Sequence, residues 1–270
     1  LPGGGRVVKM SSGQALIWLP AWAVGHGAAH ILGYPADGFS TPYFVALVWW
    51  SVLLFMAGCW LLARVLYTFV PRGVARLAIL SIWLGTNLLH YTLEEPLMAH
   101  ANAFALVSAL LWLAQRWYAH PRTRWLVLAG GVLGLLVLVR PTNVLYAGVC
   151  LGWGWAVAGF PWAGVARQHI TAWRGLLGGT AVALLVWAPQ MLYWKYATGH
   201  WVYYSYQQEG FFWLSPHITN FLFSYRKGWL LYTPLMLGAL AGLAVLWRTH
   251  RRLFWLIGVI IILAIYWLSA

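Results

Sequence analysis

The sequence predicts an all-α, polytopic transmembrane helix bundle of about eight spans. Hydrophobic residues make up 62% of the 270 positions and charged residues only 8%, whereas soluble domains are about 45–50% apolar and about 25% charged. The chain also contains 21 tryptophans, and tryptophan side chains typically anchor where a membrane meets water. This composition indicates an integral membrane protein with many membrane–water interfaces.

Eight apolar runs each approach the ~20 residues that a bilayer core demands. We assign them to a single domain, residues 1–270, with one long loop at 196–228. The predicted spans are 43–63, 74–92, 97–115, 123–140, 142–160, 176–195, 229–247 and 253–269.

An earlier apolar stretch, 14–32, is long enough to span but is interrupted by Pro20 and by polar residues. A transmembrane helix and an interfacial helix both fit it. Within it His26 and His30 are spaced i, i+4 with no acidic neighbour in sequence, a pattern that favours a polar helix face.

The basic residues indicate the orientation. The loops 64–76, 116–124, 161–174 and 248–252 lie on one side of the predicted spans, and short loops rich in Lys and Arg are cytoplasmic. The opposite side carries all four acidic residues and the 196–228 loop, which is therefore predicted to face outward. The cytoplasmic loops hold 11 of the 17 basic residues, namely Arg64, Arg72, Arg76, Arg116, Arg122, Arg124, Arg167, Arg174, Arg248, Arg251 and Arg252.

This asymmetry explains most of the net charge of +13, so nucleic acid is excluded as a partner. Cys59 and Cys150 fall in different apolar runs, with neither a disulfide framework nor metal-ligand spacing. Pairs of glycines at i, i+4 predict close helix packing. They are Gly130/Gly134, Gly148/Gly152, Gly175/Gly179 and Gly238/Gly242.

Several cations break the inward bias. Arg140 ends one span in VRPTN, where Pro141 predicts a break, and Arg226 and Lys227 immediately precede the span that opens at Trp229. Cations at outer span ends suit a phosphate held at headgroup level, with simple headgroup contact as the alternative. Charge alone leaves the side of Lys9 open.

The four carboxylates are the candidate general bases. Asp37 lies in a PADG turn motif that explains it without catalysis, and Glu94 and Glu95 precede Pro96, a context that also fits ordinary N-terminal helix capping. Glu209 stands among aromatic residues in the 196–228 loop, where a solvated linker is the alternative interpretation. A carboxylate base or a divalent cation would suit such residues.

Four segments resemble bacterial C-type membrane glycosyltransferases, and most closely the protein-O-mannosyltransferase-like family 39 with its lipid A aminoarabinose transferases. The resemblance covers nearly the whole chain. Its segments are KMSSGQALIWLPAWAVGHGAAHILGYPADGFSTPY, GTNLLHYTLEEPLMAHANAFAL, LVRPTN and YSYQQEGFFWLSPHITNFLFSYRKGWLLYTPLM.

The resemblance implies transfer of a sugar from a polyprenyl-phosphate carrier on the outer face of the membrane. It implies that 14–32 is a membrane-proximal helix, and that Lys9 is outside and matches a lysine that contacts the carrier phosphate. Met10–Ser11 stand where the family has Pro-Pro. The family's catalytic acid is expected upstream of Leu1, so this chain is expected to bind the carrier without turning it over.

The expected function is an inverting sugar transferase in the bacterial plasma membrane with its active face periplasmic. Its partners are a polyprenyl-phosphate donor, an unknown protein, lipid or glycan acceptor, and membrane lipids. No cofactor is assigned, and a divalent cation is left open. A transporter or flippase is the rival, although charges at span ends favour surface chemistry. The phosphate-binding candidates are Lys9, Arg140, Arg226 and Lys227, the substrate-pocket candidates are His100, Asn143, Tyr203, Tyr206 and Glu209, and the internal catalytic candidates are Glu209, Glu94 and Glu95.

Overall fold

The chain is all-helical over the part described by a computed structural model, residues 7–205, 210–226 and 228–270. These residues contain no β-strand, which confirms the predicted all-α class. Their helices are α1 (Gly13–Leu32), α2 (Thr41–Leu66), α3 (Arg72–Leu84), α4 (Leu88–Leu93), α5 (Ala99–Ala119), α6 (Thr123–Val139), α7 (Leu145–Ala156), α8 (Trp162–Thr171), α9 (Trp173–Thr198), α10 (Ile218–Phe223), α11 (Trp229–Tyr232), α12 (Leu235–Thr249) and α13 (Arg251–Ser269).

Among the described residues, four helices are long and apolar enough to cross a membrane: α1, α2, α9 and α13. Helices α6 and α12 are apolar but shorter. Large apolar side chains point away from the protein, as Trp49, Leu185 and Ile262 do with 64%, 70% and 67% of their surfaces exposed. Exposed apolar surface on this scale is typical of a membrane-facing exterior. The count of eight spans stays a prediction.

Two of the predicted spans are interrupted. The span 74–92 divides into α3 and α4, because the chain turns at Gly85 and the Thr86 hydroxyl donates to the Ile82 carbonyl oxygen at 2.6 Å. The span 229–247 divides into α11 and α12 at Pro234, which has no backbone N–H and disfavours helical backbone in the residue before it. The predicted loop 161–174 also contains a helix, α8.

The described chain forms two compact units, and in the first, Ser12–Trp112, helices α1 and α2 make an antiparallel hairpin. Gly25 packs directly on the α2 backbone, where an added Cβ would lie 2.7 Å from the Tyr43 Cα. Further along, Trp50 Nε1 donates to the Ile17 carbonyl oxygen at 2.8 Å. Helix α1 thus runs beside α2, and the membrane-proximal placement implied by the family resemblance stays a prediction.

The loop that joins α1 to α2 is closed by Asp37. Its Oδ1 accepts hydrogen bonds from the backbone N–H groups of Phe39 at 2.9 Å and Ser40 at 3.0 Å, which confirms the turn predicted from PADG. These N–H groups favour the carboxylate and hold the pKa of Asp37 below its ordinary value.

We expect this turn to weaken in acid. A lowered folded pKa means that the contribution of the carboxylate is complete above the ordinary aspartate pKa and is lost as pH falls through the lowered value. Amide hydrogen exchange of Phe39 and Ser40, normalised to intrinsic rates at each pH, should show falling protection in acid. Asp37→Ala should show low protection at every pH, and a wild-type turn equally protected in strong acid would contradict the assignment.

The remaining described residues form the second unit, in which α6 and α9 run parallel to each other. A Cβ at Gly130 would lie 2.3 Å from the Gly179 carbonyl oxygen, and one at Gly134 would lie 2.8 Å from the Ala183 Cα. Trp187 Nε1 adds a 3.0 Å hydrogen bond to the Gly134 carbonyl oxygen. Small residues therefore allow the two backbones to touch.

Helix α7 packs antiparallel on α13, with Gly148 against Ile260 and Gly152 against Leu256. Close packing is thus confirmed at three of the four predicted glycine pairs. A Cβ at either position of the fourth pair, Gly238/Gly242, would meet no described atom within 4 Å.

The helix directions give the second unit two ends. One, the arginine end, holds the starts of α6, α9 and α13, and there the Arg252 guanidinium donates to the Gly159 carbonyl oxygen at 2.8 Å. The other, the loop end, holds the C-terminal ends of the same three helices and the described parts of 196–226. Seven arginines lie at the arginine end: Arg122, Arg124, Arg167, Arg174, Arg248, Arg251 and Arg252.

Candidate functional site

Residues 7–11 run across the loop end of the second unit. The Val8 backbone N–H donates to Tyr193 Oη at 2.9 Å, and the Ser205 hydroxyl donates to the Lys9 carbonyl oxygen at 2.7 Å. The Ser11 hydroxyl donates to the Leu138 carbonyl oxygen, two residues before Arg140. Lys9 and Arg140, which are 131 positions apart in the sequence, therefore share one end of this unit.

Arg140 lies at the interruption between helices α6 and α7. Helix α6 ends at Val139, Arg140 is extended and exposed, and Pro141 opens a single 3-10 turn before α7, as the sequence predicts. Asn143 closes this break, since its side-chain Nδ2 donates to the Leu136 carbonyl oxygen at 2.9 Å. One role of Asn143 is thus to cap α6, and its place in a substrate pocket stays a prediction.

Arg226 lines a groove of about 350 Å³ between α10 and the C-terminal end of α13. The segment before α10 is fastened to α13 by hydrogen bonds from the Tyr266 hydroxyl to the Trp213 carbonyl oxygen at 2.6 Å and from the His217 N–H to the Ser269 carbonyl oxygen at 2.8 Å. The groove has apolar walls formed by Phe221 and Leu268. Its polar walls are formed by His217, Asn220, Ser224, Arg226 and Ser269.

The sequence did not predict that the polar neighbours of Arg226 would share a groove with it. Asn220 lies within α10, and His217 and Ser224 flank that helix, without a recognisable motif. They face one groove only because α13 packs against them. The i, i+3 spacing of His217 and Asn220 on a short helical turn was the available signal.

Other candidate and basic residues of the second unit have separate positions. Tyr203 is half-buried, two residues before the Ser205 that contacts Lys9. Lys195 Nζ donates to the Gly199 carbonyl oxygen at 2.8 Å, a contact typical of a cation at a helix C-terminus. Three candidates, Tyr206, Glu209 and Lys227, lie outside the described residues.

In the first unit, Glu94 and Glu95 both approach His90. Glu94 Oε2 lies 2.8 Å from His90 Nδ1, and Glu95 Oε2 lies 3.8 Å from His90 Nε2. The capping interpretation is wrong, because α5 begins at Ala99 rather than at Pro96. Both carboxylates thus approach one imidazole. Their consecutive positions in the sequence had not predicted this arrangement.

His100 belongs to the same part of the first unit. Its ring stacks on Tyr91 with 3.9 Å between the ring centroids, and Tyr91 is the immediate neighbour of His90. The group from His90 to His100 therefore combines two carboxylates, two imidazoles and a phenol. Side chains of these types serve as general acids and bases in enzymes.

In the described part of the chain, no three His, Cys, Asp or Glu side chains are grouped so that they could hold a metal ion together. No family model, curated protein or solved structure matches the chain significantly. The candidate chemistry therefore lies in the two groups of residues above, each within its own unit.

Proposed function

We propose that this chain belongs to a membrane-embedded transferase that takes a sugar from a polyprenyl-phosphate carrier. The groove at Arg226 carries the proposal, since it combines a guanidinium and four other polar residues with the apolar walls of Phe221 and Leu268. A ligand that suits both features has an anionic head and a hydrocarbon tail.

The charges around the groove support an anionic ligand. Lys9 and Arg140 lie at the same end of the second unit as Arg226. The described residues of this unit contain neither Asp nor Glu, so Arg140 and Arg226 have no described carboxylate partner there. A guanidinium recognises a phosphate through charge-assisted hydrogen bonds that fix its orientation.

The reaction needs two kinds of group. An acceptor hydroxyl attacks the anomeric carbon from the face opposite the carrier, the bond from that carbon to the phosphate oxygen breaks, and the phosphate leaves with the electron pair. Cations at the loop end would stabilise the developing phosphate charge. A carboxylate takes the hydroxyl proton, and Glu209, Glu94 and Glu95 are the candidates within this chain.

We infer a plasma-membrane location with the loop end outward. Four helices that could cross a membrane support the membrane location. Seven arginines at the opposite end of the second unit support the outward orientation of the loop end, because arginine-rich ends are cytoplasmic. Cations at helix ends, rather than at mid-bilayer, favour chemistry at the membrane surface over transport.

Replacing Arg226 with alanine should weaken binding of a polyprenyl phosphate about 10- to 150-fold, the equivalent of one hydrogen bond to a charged group. The measurement is the affinity of the chain, in nanodiscs of neutral lipid, for a short polyprenyl phosphate. Arg248→Ala at the arginine end is the matched control and should leave the affinity unchanged.

Two results would contradict the proposal. One is equal affinity of wild type for the polyprenyl phosphate and for the corresponding alcohol, which would show that the phosphate is not recognised. The other is equal weakening by Arg226→Ala and Arg248→Ala, which would reduce the effect to net charge.

A further inference from the structure

A cluster of four side chains lies near the C-terminal end of α1, within the first unit. His26 and His30 are one helical turn apart, and their Nε2 atoms face each other at 3.3 Å. Trp22 stacks on the His26 ring with centroids 5.0 Å apart and an interplanar angle of 10°. Tyr43 Oη lies 2.5 Å from His26 Nδ1. The sequence predicted only a polar helix face here.

The separation of the two nitrogens is the one that a metal ion requires. A tetrahedral zinc ion binds imidazole nitrogen at about 2.0–2.1 Å, so two such ligands on one ion lie about 3.3 Å apart. The i, i+4 spacing allows both rings to reach the same ion from one face of the helix. The observed 3.3 Å therefore accommodates an ion with little movement of either ring.

His26 is also held as metal-binding histidines are. Such a histidine usually makes a hydrogen bond through its other ring nitrogen, which fixes the tautomer and the direction of the lone pair. In the tautomer whose Nδ1–H donates to Tyr43 Oη, the His26 Nε2 lone pair is directed toward His30. Tyr43 is 1% exposed and Trp22 covers the ring, so both restrict the motion of His26.

We propose that His26 and His30 bind a divalent transition-metal ion of the zinc class through their Nε2 atoms. Imidazole nitrogen suits zinc, copper and nickel, and it suits calcium and magnesium poorly. His30 is exposed and His26 half-buried, so the ion can enter from outside. The described residues supply no third His, Cys, Asp or Glu ligand, so water or a ligand from solution completes the coordination. Neither histidine is among the sugar-transfer candidates proposed above.

The test is Zn²⁺ binding to the purified, metal-free chain, measured by calorimetry. Wild type should bind one ion per chain at this site, and His30→Ala should weaken that binding by at least about tenfold, the smallest effect typical of losing even a second-shell partner. Tyr43→Phe should weaken it about 10- to 100-fold. His120→Ala removes an exposed histidine of the second unit and should leave binding unchanged.

Electron paramagnetic resonance of bound Cu²⁺ counts the nitrogen atoms that coordinate the ion. A purely structural role of His30 would leave that count unchanged when His30 is replaced. Splitting from two imidazole nitrogens in wild type, reduced to one in His30→Ala, is the expected result. The proposal is overturned if wild type binds no Zn²⁺, or if His30→Ala binds Zn²⁺ and coordinates Cu²⁺ as wild type does. In either case the 3.3 Å contact is a hydrogen bond between two histidines.

Discussion

Replacing Gly130 with leucine should destabilise the second unit by about 3 kcal/mol, at the upper end of the range for overpacked interiors. A Cβ at this position would lie 2.3 Å from the carbonyl oxygen and 2.4 Å from the Cα of Gly179. Both are backbone atoms, which cannot rotate aside as a side chain would. Helices α6 and α9 would therefore have to separate along their contact.

The measurement is the free energy of unfolding in mixed detergent micelles, followed by tryptophan fluorescence. Gly242→Leu is the matched control, because a Cβ there meets no described atom within 4 Å. Exchanging this glycine inside α12 for a better helix former should change stability by no more than about 1 kcal/mol. Equal losses in the two variants would mean that the α6–α9 contact contributes little.

Cysteines at Val202 and Arg122 should react from opposite sides of the membrane. Helices α6 and α9 are parallel, so Arg122 and Val202 lie at opposite ends of the second unit. With its 26 residues, α9 is about 39 Å long, more than the roughly 30 Å of a bilayer core. Val202 is 73% exposed, so a thiol there is open to reagent.

The experiment uses a chain in which Cys59 and Cys150 are replaced by serine and alanine. An impermeant maleimide applied to intact cells should label only the cysteine at position 202. Permeabilised cells should show labelling at position 122 as well. Labelling at both positions in intact cells would refute the proposed topology, and labelling at 122 alone would reverse it.

Local features of the sequence predicted much of the helical structure. The apolar runs that became α2, α9 and α13 are long enough to cross a membrane, where backbone polar groups must pair within the segment, so their helical state is expected from the sequence. The break at Pro141 and the turn at Asp37 follow from the chemistry of single residues. In each case the deciding interaction is close in sequence.

The candidate sites were less predictable because their partners are distant in the chain. The groove at Arg226 exists because α10 packs against the end of α13, more than forty residues later. Glu94 and Glu95 meet His90 because α5 starts later than Pro96 suggested. Helical spacing placed His26 and His30 on one face, but the contact with Tyr43 that orients the first ring comes from α2.

The parallel contact between α6 and α9 also has a consequence for biosynthesis. Gly130 meets Gly179, which is made about fifty residues later, and a chain grows at about 5–20 residues per second. Helix α9 is therefore synthesised several seconds after α6, and α7 is made in between. Until then the glycine face of α6 has no α9 to pack against. During that interval the insertion machinery or lipid must contact the glycine face of α6. Slower translation would prolong the time for which this face is without α9.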